Sequence, residues 1–424
     1  MLQSLRSIAP LLAGAGILIL GNGLLGITLP IRMAVAQLSE ATAGLVMAAY
    51  YAGLILGCLY GPRLIARIGH IRAFAAFAAG ASAAALLHSL WFAIAPWFLL
   101  RIASGICMAG LFATIESWLN LRSTNDTRGQ VLAFYMVTAY LASGIGQFLV
   151  NSWDIEGVEL FSFAALLLTL SLVPVVLTRI AGPEIGQAQP LSFRALYEIS
   201  PLGVVGCFGG GLMGGGFFAM GALFAHAAGL SIFHVSLFMG LTVFGGLILQ
   251  WPIGRLSDRF DRRTVLLGML TAETLVCLLQ FVLWTTTGAL PPLLVLTMLF
   301  GGVQATIYPI SVAHAFDYVE RHRMVAASSG LLLAWAVGAT FGPLVASMMM
   351  DALGAASLFL FLAVVAAALA AFTRYRMSRR MARPAAEQSS FVPLPQTTTA
   401  AGQLDPRAQP PQGFPDDDPL RPRD

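Results

Sequence analysis

The chain has no lysine; all 24 of its basic residues are arginines, set against 20 acidic residues. Charge of either sign is scarce, at 10%, where soluble proteins carry roughly 25%. So few charges cannot cover a 58% apolar composition in water. A soluble enzyme and a disordered scaffold are therefore excluded. Cysteine is nearly absent too: Cys58, Cys107, Cys207 and Cys277 lie far apart, each inside an apolar run. With no CxxC and no metal-ligand spacing, they read as packing residues, not as a disulfide framework or a metal site. The net charge of +4 does not point to nucleic acid, because the arginines sit in short loops between apolar runs. An all-arginine basic set hints at a GC-rich, bacterial coding sequence. The first apolar run lacks a small-residue cleavage site and is long for a signal peptide, so it reads as an uncleaved span.

What the chain has instead is long apolar runs. Twelve reach the roughly 20 residues needed to cross hydrocarbon: 8–29, 42–61, 72–92, 97–119, 129–151, 158–179, 201–225, 233–253, 263–284, 292–315, 324–349 and 354–373. Only closed backbone hydrogen bonding survives in lipid, and no barrel-type alternation is present, so these are expected to be helices. Arginine alternates between loops. It clusters at Arg63–Arg72, Arg122 and Arg128, Arg179 and Arg194, Arg255–Arg263, Arg321 and Arg323, and from Arg374 onward. The intervening loops hold only Arg32 besides acids such as Asp154, Glu156 and Asp351. The positive-inside rule then places both termini in the cytoplasm. The expected organisation is an N-terminal six-helix bundle over 1–181, a central cytoplasmic loop over 182–200 and a C-terminal six-helix bundle over 201–374. A Pro-rich tail over 375–424, with its Asp416–Asp418 run, is expected to be disordered in the cytoplasm.

The halves resemble each other. Gly61–Arg72 after span 2 and Gly254–Arg263 after span 8 are both expected to be tight basic turns about 192 residues apart, and Gly146 of span 5 matches Gly342 of span 11 at a similar offset. Internal repeats of this kind build many secondary transporters, with the binding site at the repeat interface. The segment Gly254–Arg263, reading GRLSDRFDRR, resembles the cytoplasmic turn of the major facilitator superfamily, and Arg101 with Gly105 resembles its span-4 motif. Gln250–Phe260, Thr306–Ala313 and Ile115–Leu119 resemble more narrowly the YcaD-like branch of uncharacterised transporters. In the first-half turn Ala66 stands where the second half has Asp258. The resemblance implies an all-α membrane protein of 12 transmembrane helices in two pseudo-symmetric six-helix bundles. It further implies a cavity lined by spans 1, 4, 7 and 10, with spans 3, 6, 9 and 12 at the periphery.

Polar residues inside spans are costly and should face the bundle interior. At 100° per residue, Arg101 and Glu116 of span 4 share a face to within about 60°, as do Gln304, Tyr308 and Ser311 of span 10. Tyr140, Ser143, Gln147 and Asn151 form a stripe on span 5, and Asn22 is the one amide deep in span 1. Asn22, Arg101, Gln147, Gln304 and Tyr308 are therefore the candidates for lining a substrate cavity; the amides can equally bond a neighbouring helix, and Arg101 can pair with carbonyls. Glu116 and Glu273 are the candidates for proton coupling. A fixed ion pair with a loop arginine is open for Glu116, and neutral packing beside Cys277 and Gln280 for Glu273. Nine glycines between Gly203 and Gly221 in span 7 favour close helix packing, easy bending, or both.

Gly254, Asp258, Arg259, Arg262, Arg263 and Asp317 are expected to form a cytoplasmic gate, with Arg259, Arg262 and Arg263 pairing with Asp317 or Glu320. His314 and Asp317 are spaced i, i+3, but no further ligands converge, so no metal and no cofactor are expected. The expected function is secondary active transport of a small organic solute across the inner membrane by alternating access. Protons and membrane lipids are the other expected partners, nucleic acid is not, and the chain is expected to act as a monomer. A membrane sensor or scaffold of transporter-like fold is one rival. An intramembrane enzyme is another, but no HExxH and no GxSxG with partners is present.

Overall fold

Apolar runs of this length must close their backbone hydrogen bonds locally, and the computed structural model has twelve helices long and apolar enough to cross a membrane. It describes residues 2–124, 127–177, 191–379, 381, 383, 384 and 388–407. Arg179, most of the central loop, the Asn125-Asp126 pair and the Asp416–Asp418 run lie outside the described residues. Spans 1 to 6 are Ile8–Val35, Glu40–Ile68, His70–Leu90, Ile94–Leu121, Arg128–Ser152 and Glu159–Val176. Spans 7 to 12 are Pro201–Ala227, Ile232–Arg259, Arg262–Thr287, Leu290–Phe316, Met324–Leu353 and Ser357–Arg379.

Several helices run past their apolar stretch. Span 2 reaches Ile68 and span 8 reaches Arg259, so the reading of the two basic stretches as tight turns is corrected: they are mostly helix. The reversal after span 2 is made at Gly69, whose φ of +85° suits glycine. After span 8 it is made at Phe260 and Asp261, and the Asp261 carboxylate caps span 9 by accepting from the Arg263 N–H at 3.0 Å. Ser39 and Ser231, about 192 residues apart, likewise cap spans 2 and 8. Span 6 breaks at Ser171, where Pro174 can give no N–H to the Leu170 carbonyl.

The repeat is visible in the packing. Span 5 lies against span 1, and a side chain at Gly146 would meet the Leu20 carbonyl and the Gly23 Cα. Span 11 lies against span 7, and a side chain at Gly342 would meet the Leu212 carbonyl and the Gly216 nitrogen. The same backbone-to-backbone approach is thus made twice, at matching positions of the two halves. The glycine stripe of span 7 serves this approach: Gly211 and Gly215 lie on the backbone of Trp335 and Ala339. Spans 7 and 10 are the most enclosed, with 72% of their apolar stretches buried, and spans 6 and 9 the least, with 39% and 33%.

The bundle has an arginine-rich end, where the turns after spans 2 and 8 lie, and a far end. At the far end the halves touch directly. Gly44 of span 2 abuts Ser347 and Pro343 of span 11, and Asn151 of span 5 donates to the Ser236 hydroxyl of span 8 at 2.9 Å. Arg32, the one arginine of the far loops, pairs with Glu156 at 3.6 Å.

The reading of 375–424 as a disordered tail is corrected for its described part. Residues 375–379 continue span 12, and residues 388–407 lie in the gap between the halves at the arginine-rich end. There Val392, Leu394, Ala401 and Leu404 are buried, and Thr399–Leu404 forms a 3-10 turn. The physical reason is burial: an apolar island within a polar, Pro-rich stretch finds an open apolar gap.

Candidate functional site

Between the halves lies a cavity of about 280 Å³. Its walls come from spans 1, 2, 4 and 5 of one half and spans 7, 8, 10 and 11 of the other; spans 3, 6, 9 and 12 contribute no side chain to it. Tyr51, Phe112, Tyr135, Tyr140, Phe218 and Trp335 supply the aromatic surface, and Asn22, Ser143, Thr242 and Gln304 the polar groups. Among the described residues, none that lines it carries a formal charge. A wall of this kind suits a small amphipathic solute, held by ring faces and oriented by a few hydrogen bonds. Tyr51 and Trp335, from opposite halves, meet edge to face at 6.3 Å.

Span 10 carries Pro309 inside its helix. Proline cannot donate to the carbonyl four residues back, which here is that of Ala305. The Gln250 amide of span 8 donates to that carbonyl instead, at 3.1 Å, so the proline on span 10 and the amide on span 8 complete each other beside the cavity. Gln304 lies one residue away; its Nε2 donates to the Gly210 carbonyl at 2.8 Å. Its Oε1 is buried with no hydrogen-bond partner among the described residues, leaving an acceptor for a solute donor.

The candidate cavity residues separate. Asn22 and Gln304 line the cavity. Tyr308 is buried behind it, edge to face with Trp335 at 6.4 Å. Gln147 donates to Ser143 of its own helix at 3.2 Å and lies beside the backbone of Gly23; its place is the packing of spans 1 and 5. Arg101 is 5% exposed, and its guanidinium sits over the Tyr50 ring at 4.4 Å, where cation–π attraction partly compensates its burial. It is not among the lining residues.

The two glutamates also differ. Glu116 is fully buried and accepts from the Tyr135 hydroxyl at 3.0 Å. It accepts as well from the hydroxyls of Thr397 and Thr398 of the tail. Because Tyr135 and Thr397 line the cavity, Glu116 is one hydrogen bond removed from it. Its partners are hydroxyls and not the loop arginine considered from the sequence. Glu273 is fully buried, away from the cavity, with no hydrogen-bond partner for either oxygen among the described residues. Its neighbour on the stripe, Gln280, donates to Thr297 of span 10 at 2.8 Å, which is a helix-packing contact.

At the arginine-rich end, Arg262 pairs with Asp317 at 3.3 Å and with Asp258 at 3.7 Å. Arg263 pairs with Asp261 at 2.9 Å, and Arg259 is exposed. The pairing of Arg262 with Asp317 has the expected partners, but it joins spans 9 and 10 of one half and does not cross the mouth. Burial pushes the Asp317 carboxyl above its ordinary value, and the attraction of Arg262 offsets this only in part. Burial also acts upward on Asp261, but hydrogen bonds from Arg263 outweigh it and hold that carboxyl below its ordinary value. In the first half the corresponding position holds His70, which opens span 3 and shares a 3.1 Å hydrogen bond with Ser117 of span 4.

Sequence reasoning missed the tail residues that lie in the mouth. Phe391 packs its ring against Gly254 and its N–H donates to Asp258 at 2.6 Å; Ser389 donates to Asp317 at 3.0 Å from both its N–H and its hydroxyl. The usable signal was Phe391-Val-Pro-Leu-Pro395, an apolar island in the polar tail. Among the described residues no group of three or more His, Cys, Asp or Glu is placed to hold a metal ion.

A family model described as Major Facilitator Superfamily matches residues 11–248 and again 202–408. A relative from Salmonella arizonae, "Uncharacterized MFS-type transporter YcaD", is 30% identical over 366 residues, covering 85% of this chain and 93% of its own. A Salmonella typhi relative of the same name matches to the same extent. Among solved structures, the nucleoside transporter NupG superposes with a TM-score of 0.70 at 14% identity, covering 88% of this chain and 99% of its own. A bacterial homolog of the human lysosomal transporter Spinster, inward-facing and occupied, superposes at 0.72 with 15% identity, covering 90% and 98%. These two likenesses establish the fold alone. The repeated six-helix packing, the central cavity, and the family match over nearly the whole chain lead to one conclusion: this protein is a member of the Major Facilitator Superfamily, a membrane transporter by family.

Proposed function

We propose that the chain is a secondary active transporter that carries a small, uncharged, amphipathic organic solute across the bacterial inner membrane by alternating access. The observation that carries this reading is the cavity itself. Both halves wall it, its surface is aromatic and amide-bearing, and among the described residues no formal charge faces it. A polyanion or polycation would find no counter-charge there. Direct contact of the halves at the far end, with the gap at the other, corresponds to a cavity facing the arginine-rich side. By the positive-inside rule that side, with both termini, is the cytoplasm.

Proton coupling, where present, is assigned to Glu116. It is joined to the cavity through Tyr135, whereas Glu273 is remote from it. The test is flux by the purified full chain in proteoliposomes, screened against a mixture of metabolites with and without an imposed pH gradient. Saturable accumulation of an uncharged solute is the expected result; binding without flux would favour the ligand-sensor reading instead. The variant Glu116→Gln should keep solute exchange but lose accumulation driven by the gradient.

A further inference from the structure

The part of the tail at residues 388–407 is not merely near the mouth; it fills it. Leu394, Pro395, Gln396 and Thr397 form one wall of the cavity. On the first half, Thr397 and Thr398 donate to Glu116, the Thr397 carbonyl accepts from the Cys58 thiol at 3.7 Å, and Gln403 accepts from Asn120 at 3.4 Å. On the second half, Gln388 accepts from Arg262 at 3.4 Å, Phe391 lies on Gly254, and Gly402 abuts Ser328. Within the segment, Asp405 is fully buried and held by Arg407 at 2.6 Å, while the Arg407 guanidinium sits over Phe316. Several polar groups of the segment are thus paired with groups of both halves, and Val392, Leu394, Ala401 and Leu404 are buried. That degree of satisfaction marks a fitted ligand.

We propose that this segment is the transporter's own inhibitory plug: a tethered peptide ligand of the substrate cavity that must leave before a solute can enter from the arginine-rich side. Two consequences follow from the geometry. The segment closes the arginine-rich end of the cavity, so no solute can enter from that side. The arginine-rich ends of the halves also cannot approach each other while the segment lies between them, so the transporter is held in this one arrangement. A short tether from Arg379, the end of span 12, gives the segment an effective concentration of about millimolar, so a weak intrinsic affinity suffices to keep the mouth closed. The plug also reports on its site. The groups seated on the cavity are an isobutyl chain, a pyrrolidine ring, an amide and a hydroxyl, all uncharged, which is the substrate class of the transport reading on which this inference rests.

The test uses the full chain and no substrate, so it fails or stands independently of the transport reading. In a chain carrying Cys107→Ser, Cys207→Ala and Cys277→Ala, the native Cys58 thiol lies under the Thr397 carbonyl and serves as the reporter. Its modification by a charged, water-soluble methanethiosulfonate is timed from the arginine-rich side. Adding Phe391→Ala, Thr397→Ala and Thr398→Ala should speed modification roughly tenfold or more. A synthetic peptide of residues 388–407, supplied at several millimolar to match the lost tether, should slow it again. The same peptide with the three alanines should not. Equal rates with and without the three substitutions, or no protection by the native peptide, would overturn the proposal. A second variant covers the case in which the triple variant does not fold. Ser328→Cys with Gly402→Cys, whose β-carbons would lie 2.9 Å apart before a small adjustment, in the same background with Cys58→Ala and Ser143→Cys as cavity reporter, should form a disulfide. The oxidised protein should then be modified at Ser143→Cys far more slowly than the reduced one; equal rates would contradict the plug.

Discussion

Arg262 and Asp317 form an ion pair, Nε to Oδ2 at 3.3 Å, with only 1% and 3% of their side chains exposed. Taking two charges out of water costs more than their attraction commonly returns, and removing one partner costs more still. Arg262→Met should therefore destabilise the second half by about 3 kcal/mol, because it leaves a buried carboxylate held only by Ser389. The double replacement Arg262→Met with Asp317→Leu should recover most of that loss. Thermal unfolding of the purified variants in detergent measures both; equal losses from the single and double variants would contradict this account of the pair.

Stability near acid pH should carry two opposite signatures. Asp317 is pushed above its ordinary value by burial, so the folded state takes up this proton first. Its contribution is largest at low pH and falls as pH rises through that raised value. Asp261 is held below its ordinary value by Arg263, against the upward push of burial. Its contribution is present above the ordinary carboxylate range and is lost as pH falls through the lowered one. Asp261→Ala should cost about 1 kcal/mol at neutral pH, the usual value of a cap, with a difference from the parent that shrinks on acidification. Unfolding midpoints between pH 3 and 7 (an experimental range of roughly the carboxylate window) check the sign.

The repeated glycine contact predicts paired effects. Gly146→Val and Gly342→Val should each destabilise by about 1–3 kcal/mol, since each drives a side chain into a helix backbone. Gly268→Ala on span 9 meets nothing within 4 Å and should be neutral or stabilising by up to about 1 kcal/mol. A comparable loss at all three positions would argue against the packing described for spans 1 with 5 and 7 with 11.

The cavity wall predicts a division between binding and folding. Trp335→Ala and Gln304→Leu should each weaken solute binding by roughly tenfold or more, as expected for a lost aromatic surface or hydrogen bond of about 1.5 kcal/mol. Gln147→Leu, placed between spans 1 and 5, should leave affinity unchanged. Binding of the solute identified in the flux screen, measured by calorimetry on each variant, is the check.

Much of this was legible in the residues. The twelve spans follow from hydropathy, and the repeat follows from Gly146, Gly342 and the two basic segments. The arithmetic of helical faces put Gln304 with Tyr308 and Arg101 with Glu116. It could not say which member of a face reaches the cavity: that depends on depth and on the neighbour's side chain, which is why Tyr308 lies behind Trp335 and Arg101 over Tyr50. Helix ends were misjudged at Ile68 and Arg259 because a helix can continue beyond hydrocarbon while its composition turns polar. The plug escaped notice because Phe391, Val392 and Leu394 are few among many polar residues, and their burial depends on a gap that only the assembled halves create.

The central claim is a single cavity shared by two halves and opened to each side in turn. Ser143→Cys, on its wall, tests it directly. In the full chain with the other cysteines replaced and the plug loosened by Phe391→Ala, Thr397→Ala and Thr398→Ala, impermeant thiol reagents are applied to one membrane face or the other. The account predicts modification from both faces, rapid from the arginine-rich side, slower from the far side, and shifted in favour of one face by the transported solute. Modification from one face only, whatever the solute, would contradict it.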